Sequence, residues 1–430
     1  MSTEPSAGAG PSAGAGPSAD AEPTSGAGQT PAWSAAREAA YAAGRAARPA
    51  PVEVPLTEAD HHILAAGLTT LTDLPAFPTS SVDGFAVRGA GPWRVAGRAL
   101  AGSVPGPIAE GDAVEIATGA MLPPGTEQII RVEDSATDAD GRISGSARPV
   151  PDWREPGDEA ARGEELLPAG TPVSPAVIGL AAACGYDTLT VTPSPSAAVV
   201  IFGDELLTAG TPNQGRIRDA LGPQLPGWLV RLGARVQPGF DPHGPVADTL
   251  EAHVKAISDA VAHADLVCTT GGTMHGPVDH LHPALAEIGA TYIANTVAVR
   301  PGFPMLLASV PRPDGRPAFV AGLPGNPQSA VVALVSLVVP LLAGLSGRPS
   351  WPAGLVTLGA PARGRGDYTH LVLVRLDSTG AAHPLEHAGS AMLRGLARAD
   401  GFAVIAPGTD GAAGDRVPFV PLPILPGSRP

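Results

Sequence analysis

Aromatic residues and cysteines are scarce in this 430-residue chain. Phe, Trp and Tyr together make up 4% of it, so its cores must be built mainly from Ala, Val and Leu. The two cysteines, Cys184 and Cys268, lie far apart in apolar sequence. A zinc site would need more Cys and His ligands at short spacing. We therefore predict two buried thiols in a reducing compartment.

Positive charge is also in short supply. The chain has 27 Lys and Arg against 41 Asp and Glu, which gives a formal net charge of −14. This balance disfavours nucleic acid as a partner, because nucleic-acid-binding proteins usually present a basic surface. An anionic small substrate would have to be held by a local cluster of donors, since the overall field does not attract it.

The sequence has no convincing membrane or export segment. Residues 330–345 form the longest apolar run, but Pro340 interrupts it, and a buried helix is the better prediction. The first residues show neither a basic region nor an apolar core of the kind found in secretion signals. We expect a cytoplasmic protein with no membrane partner.

The first part of the chain changes character several times. Residues 1–32 are low-complexity, with PSAGAG repeated, and are predicted to be a disordered tail. An Ala- and Arg-rich stretch from Trp33 is predicted to be helical, and short Val/Ile runs between Gly and Pro indicate a small β unit at 77–149. Residues 173–185 predict a helix with Ser174 as its N-cap.

From residue 196 onwards, apolar strands alternate with helices. The strands AAVVIF, ADLVCTT and FVAG are continuous apolar runs, which indicates a parallel sheet covered on both faces. Short β-type segments return after Gly347. The fold class predicted is multidomain α+β and α/β, with a three-layer α/β domain around a parallel-rich sheet and small β domains beside it.

Two glycine-containing loops follow predicted strands. In TTGGTMHGPVD (269–279), Thr270 ends a strand, and Gly271 and Gly272 allow a tight turn whose N–H groups can approach an anionic or polar ligand. In LPGNPQSA (323–330), Gly325 suits a turn, and Ser329 could cap the next helix. Each loop could equally be an ordinary turn. GDELL (203–207) offers carboxylates that could hold a metal or simply be solvated.

The order and spacing of these segments resemble the molybdopterin molybdenumtransferase family, which includes the C-terminal domain of gephyrin. The resemblance runs from about Pro55 to the end of the chain. Its anchors are 80–87 (SSVDGFAV), 117–120 (ATGA), 203–206 (GDEL), 271–279 (GGTMHGPVD), 300–302 (RPG) and 323–327 (LPGNP).

The resemblance implies a homodimer and an enzyme that inserts molybdate into adenylylated molybdopterin with release of AMP, aided by Mg²⁺. It implies a discontinuous linker or dimerisation domain (33–76 and 150–192), the small β domain (77–149), a molybdopterin-binding domain (193–346) and a C-terminal β domain (347–430). Carboxylates would hold the cation, because Mg²⁺ prefers oxygen ligands.

Matched positions supply the candidate site. The resemblance assigns catalysis to Asp83, Thr118, Glu205, Asp279 and Arg300, and the metal to Glu205, Asp279 and Glu159. Pterin-phosphate binding falls on the two loops and one C-terminal serine: Thr270, Gly271, Gly272, Gly325, Asn326, Ser329 and Ser390.

Several matched positions depart from the family pattern. Glu159 is a longer carboxylate than the family aspartate, and Arg300 keeps the charge of a family lysine as a planar, less compact donor. An acid, two lysines and a serine of the family fall on Phe240, Thr296, Phe303 and Met274. Fewer cationic groups would weaken binding of multiply charged anions. Two alternatives therefore stand beside the enzyme: a non-catalytic molybdopterin-binding or scaffolding paralogue with a degraded active site, and an enzyme acting on another nucleotide-linked substrate.

Overall fold

The structure is a computed structural model that describes residues 30–236, 245–273, 279–350 and 354–423. The predicted disordered tail therefore lies almost wholly outside the described residues and stays a prediction. Phe240, Met274 and His275 also lie outside them.

A six-stranded mixed sheet forms the centre of the molecule. The strand order is Arg235–Val236, Ser196–Ile201, Leu266–Thr270, Ala318–Leu323, Leu306–Val310 and Thr291–Asn295. The first four strands are parallel to one another, and Leu306–Val310 is antiparallel to both of its neighbours. All residues of Ser196–Ile201 are buried, as a strand covered on both faces requires. Separate apolar cores lie on the two faces of the sheet. The predicted three-layer, parallel-rich α/β unit is confirmed.

Helices cover both faces of this central sheet. Leu250–His263 and Leu281–Glu287 pack on one face. Leu225–Arg231 and the long helix Pro327–Ser346 pack on the other. The long helix contains a π-helical turn at Leu334–Val338. It is long and apolar enough to cross a membrane, but it is entirely buried in the protein, as predicted for a core helix.

The N-terminal helix Trp33–Ala46 packs against the long helix. The indole Nε1 of Trp33 donates a 2.8 Å hydrogen bond to Ser336 Oγ. Its apolar face joins the core of the α/β unit. The predicted grouping placed residues 33–76 in one unit with 150–192, whereas this helix belongs by its packing to the central unit. The cause is a face of small residues, which permits a close helix–helix approach that sequence periodicity does not reveal.

Two further units precede the central sheet. A six-stranded sheet has the order Gln128–Arg131, Gly84–Val87, Asp112–Ile116, Trp93–Ala99, Arg142–Gly145 and Ser135–Thr137. A three-stranded sheet has the order Val52–Pro55, Thr188–Thr192 and Ile63–Leu64. Two-stranded pairs are Thr79–Ser80 with Trp153–Arg154 and Leu68–Thr69 with Glu165–Leu167. The predicted helix forms at Pro175–Ala183, and the Ser174 hydroxyl accepts from the N–H of Val177, so its predicted cap is confirmed.

The last unit is a second mixed sheet. Its order is Val299–Arg300, Thr369–Leu376, Gly401–Ile405, Arg416–Pro421 and Gly354–Thr357, with Ala382–Pro384 added beside the second strand. Its first strand comes from the chain segment between two strands of the central sheet. This shared segment joins the C-terminal sheet to the central unit and places Arg300 at their junction.

Candidate active site

Three of the predicted loops leave the central sheet at the same edge. Ile201, Thr270 and Leu323 are the last residues of neighbouring parallel strands and lie in register with one another. The N–H of Gly271 donates to the carbonyl of Leu323 at 3.1 Å, which joins two of these loops directly. The carboxyl ends of parallel strands are where open α/β sheets bind their ligands.

The Gly-Gly turn has a backbone that favours glycine. Gly271 and Gly272 have φ values of +81° and +64°. A Cβ on Gly271 would lie 3.7 Å from the carbonyl oxygen of Phe202, and one on Gly272 would lie 3.7 Å from the backbone nitrogen of Leu281. The turn therefore packs between the end of the first strand and the segment of Asp279, and its bare backbone forms part of the edge.

The LPGNP loop begins the long helix. Asn326 is the N-cap residue, and Pro327 is the first helical residue. Ser329 was predicted to cap this helix, and that prediction is wrong, because Ser329 lies inside the first turn and is 3% exposed. The N–H groups of Gln328 and Ser329 instead donate to the carbonyl of Ser390, at 3.0 and 3.3 Å. The C-terminal unit thus accepts the hydrogen bonds of the N–H groups at this helix start, a role that the sequence analysis gave to the side chain of Ser329.

Glu205 lies on the loop that follows the first central strand. Gly203 has a φ of +136°, and the Glu205 carboxylate folds back over it. A cleft of about 370 Å³ opens beside this loop, with Asp204, Leu207 and Arg216 among its lining residues. The guanidinium of Arg216 donates to the carbonyl of Leu206 and thereby holds the loop.

Asp83 and Thr118 form a pair in the N-terminal six-stranded sheet. Asp83 Oδ1 accepts hydrogen bonds from the backbone N–H and the hydroxyl of Thr118, the latter at 3.0 Å. The backbone bond is the larger cause, and the hydroxyl bond the second, of a pKa for Asp83 below its ordinary value. The pair therefore presents a carboxylate anion at neutral pH, on a sheet with its own core.

The three predicted metal ligands do not come together in one chain. Glu159 is held beside a different part of the fold, where its N–H donates to the carbonyl of Leu74. Within the described ranges, no group of three His, Cys, Asp or Glu side chains is arranged to hold a metal ion. Within one chain these three carboxylates therefore do not form a three-ligand group, and their role as metal ligands stays a prediction.

Sequence reasoning missed three side chains at this edge. His253 is fully buried, stacks on Phe202 with ring centroids 3.7 Å apart, and has no partner for Nε2. Burial is the largest cause of a pKa for this ring below its ordinary value. Gln328 is buried with Oε1 unpartnered, and Tyr368 lies over Arg300. A histidine on the apolar face of the helix Leu250–His263 was a visible signal, whereas the positions of Gln328 and Tyr368 depend on contacts distant in sequence.

Comparison with known proteins accounts for almost the whole chain. Residues 33–185 match the MoeA N-terminal region (domains I and II), 198–344 a probable molybdopterin binding domain, and 356–422 the MoeA C-terminal region (domain IV). A molybdopterin molybdenumtransferase of Haemophilus influenzae is 32% identical over 69% of this chain and 73% of its own length. One of Staphylococcus aureus is 30% identical over 69% and 72%.

The folds agree as well as the sequences. A crystal structure of a molybdopterin biosynthesis MoeA protein from Pyrococcus horikoshii matches 92% of this chain and 99% of its own, with a TM-score of 0.72 and 26% identity. The match extends over the central sheet and the β units on either side of it. The chain belongs to the molybdopterin molybdenumtransferase family.

Proposed function

We propose that the protein is a cytoplasmic transferase of molybdenum-cofactor biosynthesis, which inserts molybdate into adenylylated molybdopterin and releases AMP. The observation that carries this proposal is the single edge at which the loops of Glu205, Gly271 and Gly325 meet, in a chain of this family. The alternative of a non-catalytic binding paralogue is not favoured by the relatives, which are named as transferases.

The chemistry requires negative groups to be held and a phosphoanhydride to be broken. The Gly-Gly turn would bind phosphate oxygens through backbone N–H groups other than that of Gly271, which the carbonyl of Leu323 accepts, because glycine lets the chain approach the oxygens closely. Arg300 would bind an oxyanion through the edge of its guanidinium. The Asp83 carboxylate, which accepts a hydrogen bond from the Thr118 hydroxyl, would accept a proton from the substrate or attract a cation.

We propose Mg²⁺ as the cation, held by Glu205 and Asp279. Mg²⁺ is usually bound by one or two carboxylates, while water and substrate phosphates complete its shell. Two carboxylates at the loop edge fit this chemistry without a third protein ligand, so Glu159 is not needed in the set. When bound, the ion would polarise the phosphoanhydride.

We further propose a homodimer whose sites combine residues from two copies. The Asp83–Thr118 pair and the Glu205 loop belong to different sheets with separate cores. A second copy can present one of them to the other. A closed twofold dimer would then contain two equal sites.

The activity is tested with purified protein, adenylylated molybdopterin, molybdate and Mg²⁺. AMP release that depends on molybdate supports the proposal, and it should be lost in Glu205→Gln. Binding of the pterin without AMP release at any molybdate concentration would overturn the enzyme assignment. Omission of Mg²⁺ should abolish release, and Glu159→Gln should leave its metal dependence unaltered.

The shared site is tested by mixing two inactive variants. Asp83→Asn and Glu205→Gln chains are unfolded, mixed and refolded together. Sites built from two copies would regain about a quarter of wild-type activity, because half of the dimers would each hold one intact site. No regain above either parent would show that each chain supplies its own complete site.

A further inference from the structure

The guanidinium of Arg300 contacts two aromatic rings. Its Cζ is 4.4 Å from the centroid of the Phe303 ring and 4.0 Å from that of the Tyr368 ring. The two rings meet edge to face, with centroids 6.4 Å apart and planes at 70°. The centroid separation is well below the sum of the two Cζ distances, so the rings contact the cation on two adjoining sides, and both π systems attract it.

The contacts come from two different units of the fold. Phe303 follows Arg300 on the segment leading back to the central sheet, whereas Tyr368 precedes the second strand of the C-terminal sheet. Parallel pairing of Arg300 with His370 fixes the register between the two segments. A Cβ on Gly302 would meet Val332 of the long helix, so the segment is also fixed against the helix that starts at the LPGNP loop. The segment that carries Phe303 and the segment that carries Tyr368 are therefore both fixed in position.

One N–H donor group of this guanidinium lacks an acceptor among the described residues. Nη1 of Arg300 is buried and has no hydrogen-bond partner, and Arg300 makes no ion pair among the described residues. A buried donor on a charged group is costly when it has no acceptor. The residue as a whole is only partly buried, so some of it can be reached from solvent. An acceptor that carries negative charge would meet both needs.

The surroundings of Arg300 add positive charge. Arg365 lies close enough to His370 for its charge to lower the pKa of that ring, after the larger effect of burial. The acid of this loop, Asp367, is exposed. Arg365 is exposed as well, so Asp367 offsets part of its charge, and Arg300 is the main cation that this site offers to an anion in a chain with a net charge of −14.

We propose that Phe303 and Tyr368 are positioning residues, which hold the Arg300 guanidinium so that its edge faces a tetrahedral oxyanion of the substrate. An arginine packed against two rings that stand at a large angle to each other keeps its fork in one orientation, whereas a lysine is a mobile point charge. Phe303 is therefore part of the anion site although it carries no charge itself. This inference rests on the proposed function for the source of the oxyanion, which is either free molybdate or a phosphate of the nucleotide.

Direct binding of two probes to the full-length protein tests the inference. Tungstate represents the free metal oxyanion, and AMP represents the phosphate of the nucleotide. We expect Phe303→Leu and Tyr368→Leu each to weaken binding of one probe about tenfold, because each variant removes one cation–π contact of the Arg300 guanidinium. The probe that responds identifies the source, and Tyr368→Phe, which keeps the ring, should restore most of the loss. Tyr292→Leu, an aromatic deletion on the edge strand of the central sheet, is the control and should leave both affinities unaltered.

A double-mutant cycle separates positioning from general packing. In an Arg300→Gln background, Phe303→Leu should weaken the remaining binding less than twofold, because the ring then has no cation to hold. If Arg300→Gln removes measurable binding, Arg300→Lys provides the background, and the effect of Phe303→Leu should fall below threefold. The same tenfold loss in either background, or no loss in the wild-type background, would overturn the inference.

The measurement does not depend on turnover. A protein that releases no AMP but shows this binding pattern would refute the proposed function and retain the arginine site. A protein that is active, but whose oxyanion affinity is indifferent to both rings, would retain the function and refute the site.

Discussion

The contact between Trp33–Ala46 and the long helix makes a strong prediction about one glycine. A Cβ at Gly44 would collide with the carbonyl oxygen of Leu341 and lie 3.0 Å from the backbone nitrogen of Leu345. A Cβ at Gly344 would lie 2.7 Å from the backbone nitrogen of Arg45. The two helices therefore touch through backbone atoms, and Gly44→Ala must push them apart.

The magnitude follows from two opposing effects. Forcing a methyl group into a packed contact costs about 1–3 kcal/mol, and here the upper part applies because the obstacles are backbone atoms. Alanine returns about 1 kcal/mol through its better helix propensity. We expect Gly44→Ala to lower the local opening free energy by about 1–2 kcal/mol. Gly179 provides a matched control: it lies in the helix Pro175–Ala183 with nothing within 4 Å of its Cβ position, so Gly179→Ala should stabilise its helix by up to about 1 kcal/mol.

Hydrogen exchange read by mass spectrometry suits this test, since a single melting temperature is poorly defined for a multidomain chain. Amides of Trp33–Ala46 should exchange about 5- to 30-fold faster in Gly44→Ala, because each 1.4 kcal/mol corresponds to a factor of ten. Those of Pro175–Ala183 should exchange more slowly in Gly179→Ala. Unchanged or slower exchange in the N-terminal helix of Gly44→Ala would refute the close-contact reasoning.

Three other perturbations have defined outcomes. Thr118→Val should raise the pKa of Asp83 only part of the way to its ordinary value, as read by carboxyl NMR, because the larger cause, the backbone bond, remains. The pKa of Asp83 is lower in the folded protein than in the unfolded chain. The Asp83–Thr118 bonds therefore stabilise the fold at pH values above the ordinary pKa of aspartate, and this stabilisation is lost as the pH falls through the pKa of the folded protein. A Thr118→Val protein with unaltered acid sensitivity would contradict this. Cys268 is fully buried with its pKa raised to about 12, so neither it nor buried Cys184 should react with a thiol reagent before unfolding, and rapid labelling of the native protein would disprove that burial. Ser174→Ala should cost about 0.5–1 kcal/mol at its helix through loss of the cap, measured by faster exchange, and equal exchange would show that the cap contributes nothing.

Local patterns in the sequence predicted much of the central unit. Continuous apolar runs marked the strands Ser196–Ile201, Leu266–Thr270 and Ala318–Leu323, because burial on both faces leaves no room for polar residues. Ser174 followed by Pro175 marked a helix start for an equally local reason. The strands Leu306–Val310 and Thr291–Asn295 were not predicted. Thr291–Asn295 is the edge strand and mostly exposed, so its apolar pattern is weak, whereas Leu306–Val310 is an inner, almost fully buried strand that the sequence analysis overlooked.

The errors at the site share a different cause. Ser329 has the residue type and spacing of a cap, yet the carbonyl of Ser390, from another unit, accepts the N–H groups at that helix start. The docking of the helix Trp33–Ala46 likewise depends on Gly344, some 300 positions away, through contacts such as the Trp33–Ser336 bond. Contacts between segments far apart in the chain leave no periodic pattern in the sequence. A resemblance to a family can point to the residues that make such contacts, but local sequence patterns cannot show where those residues lie.

The loss of lysines from the family pattern becomes easier to understand from the whole composition. Lys255 is the only lysine in the chain, and it pairs with Asp259 on the surface of a helix. A site for multiply charged anions must therefore use arginine and backbone N–H groups. An arginine brings a planar fork but a long, flexible stem, and two aromatic rings remove that flexibility at Arg300. Phe303 stands where the family has a lysine, but it need not mark a degraded site. A ring that orients the Arg300 guanidinium can replace the second positive charge, and the site can still bind an oxyanion.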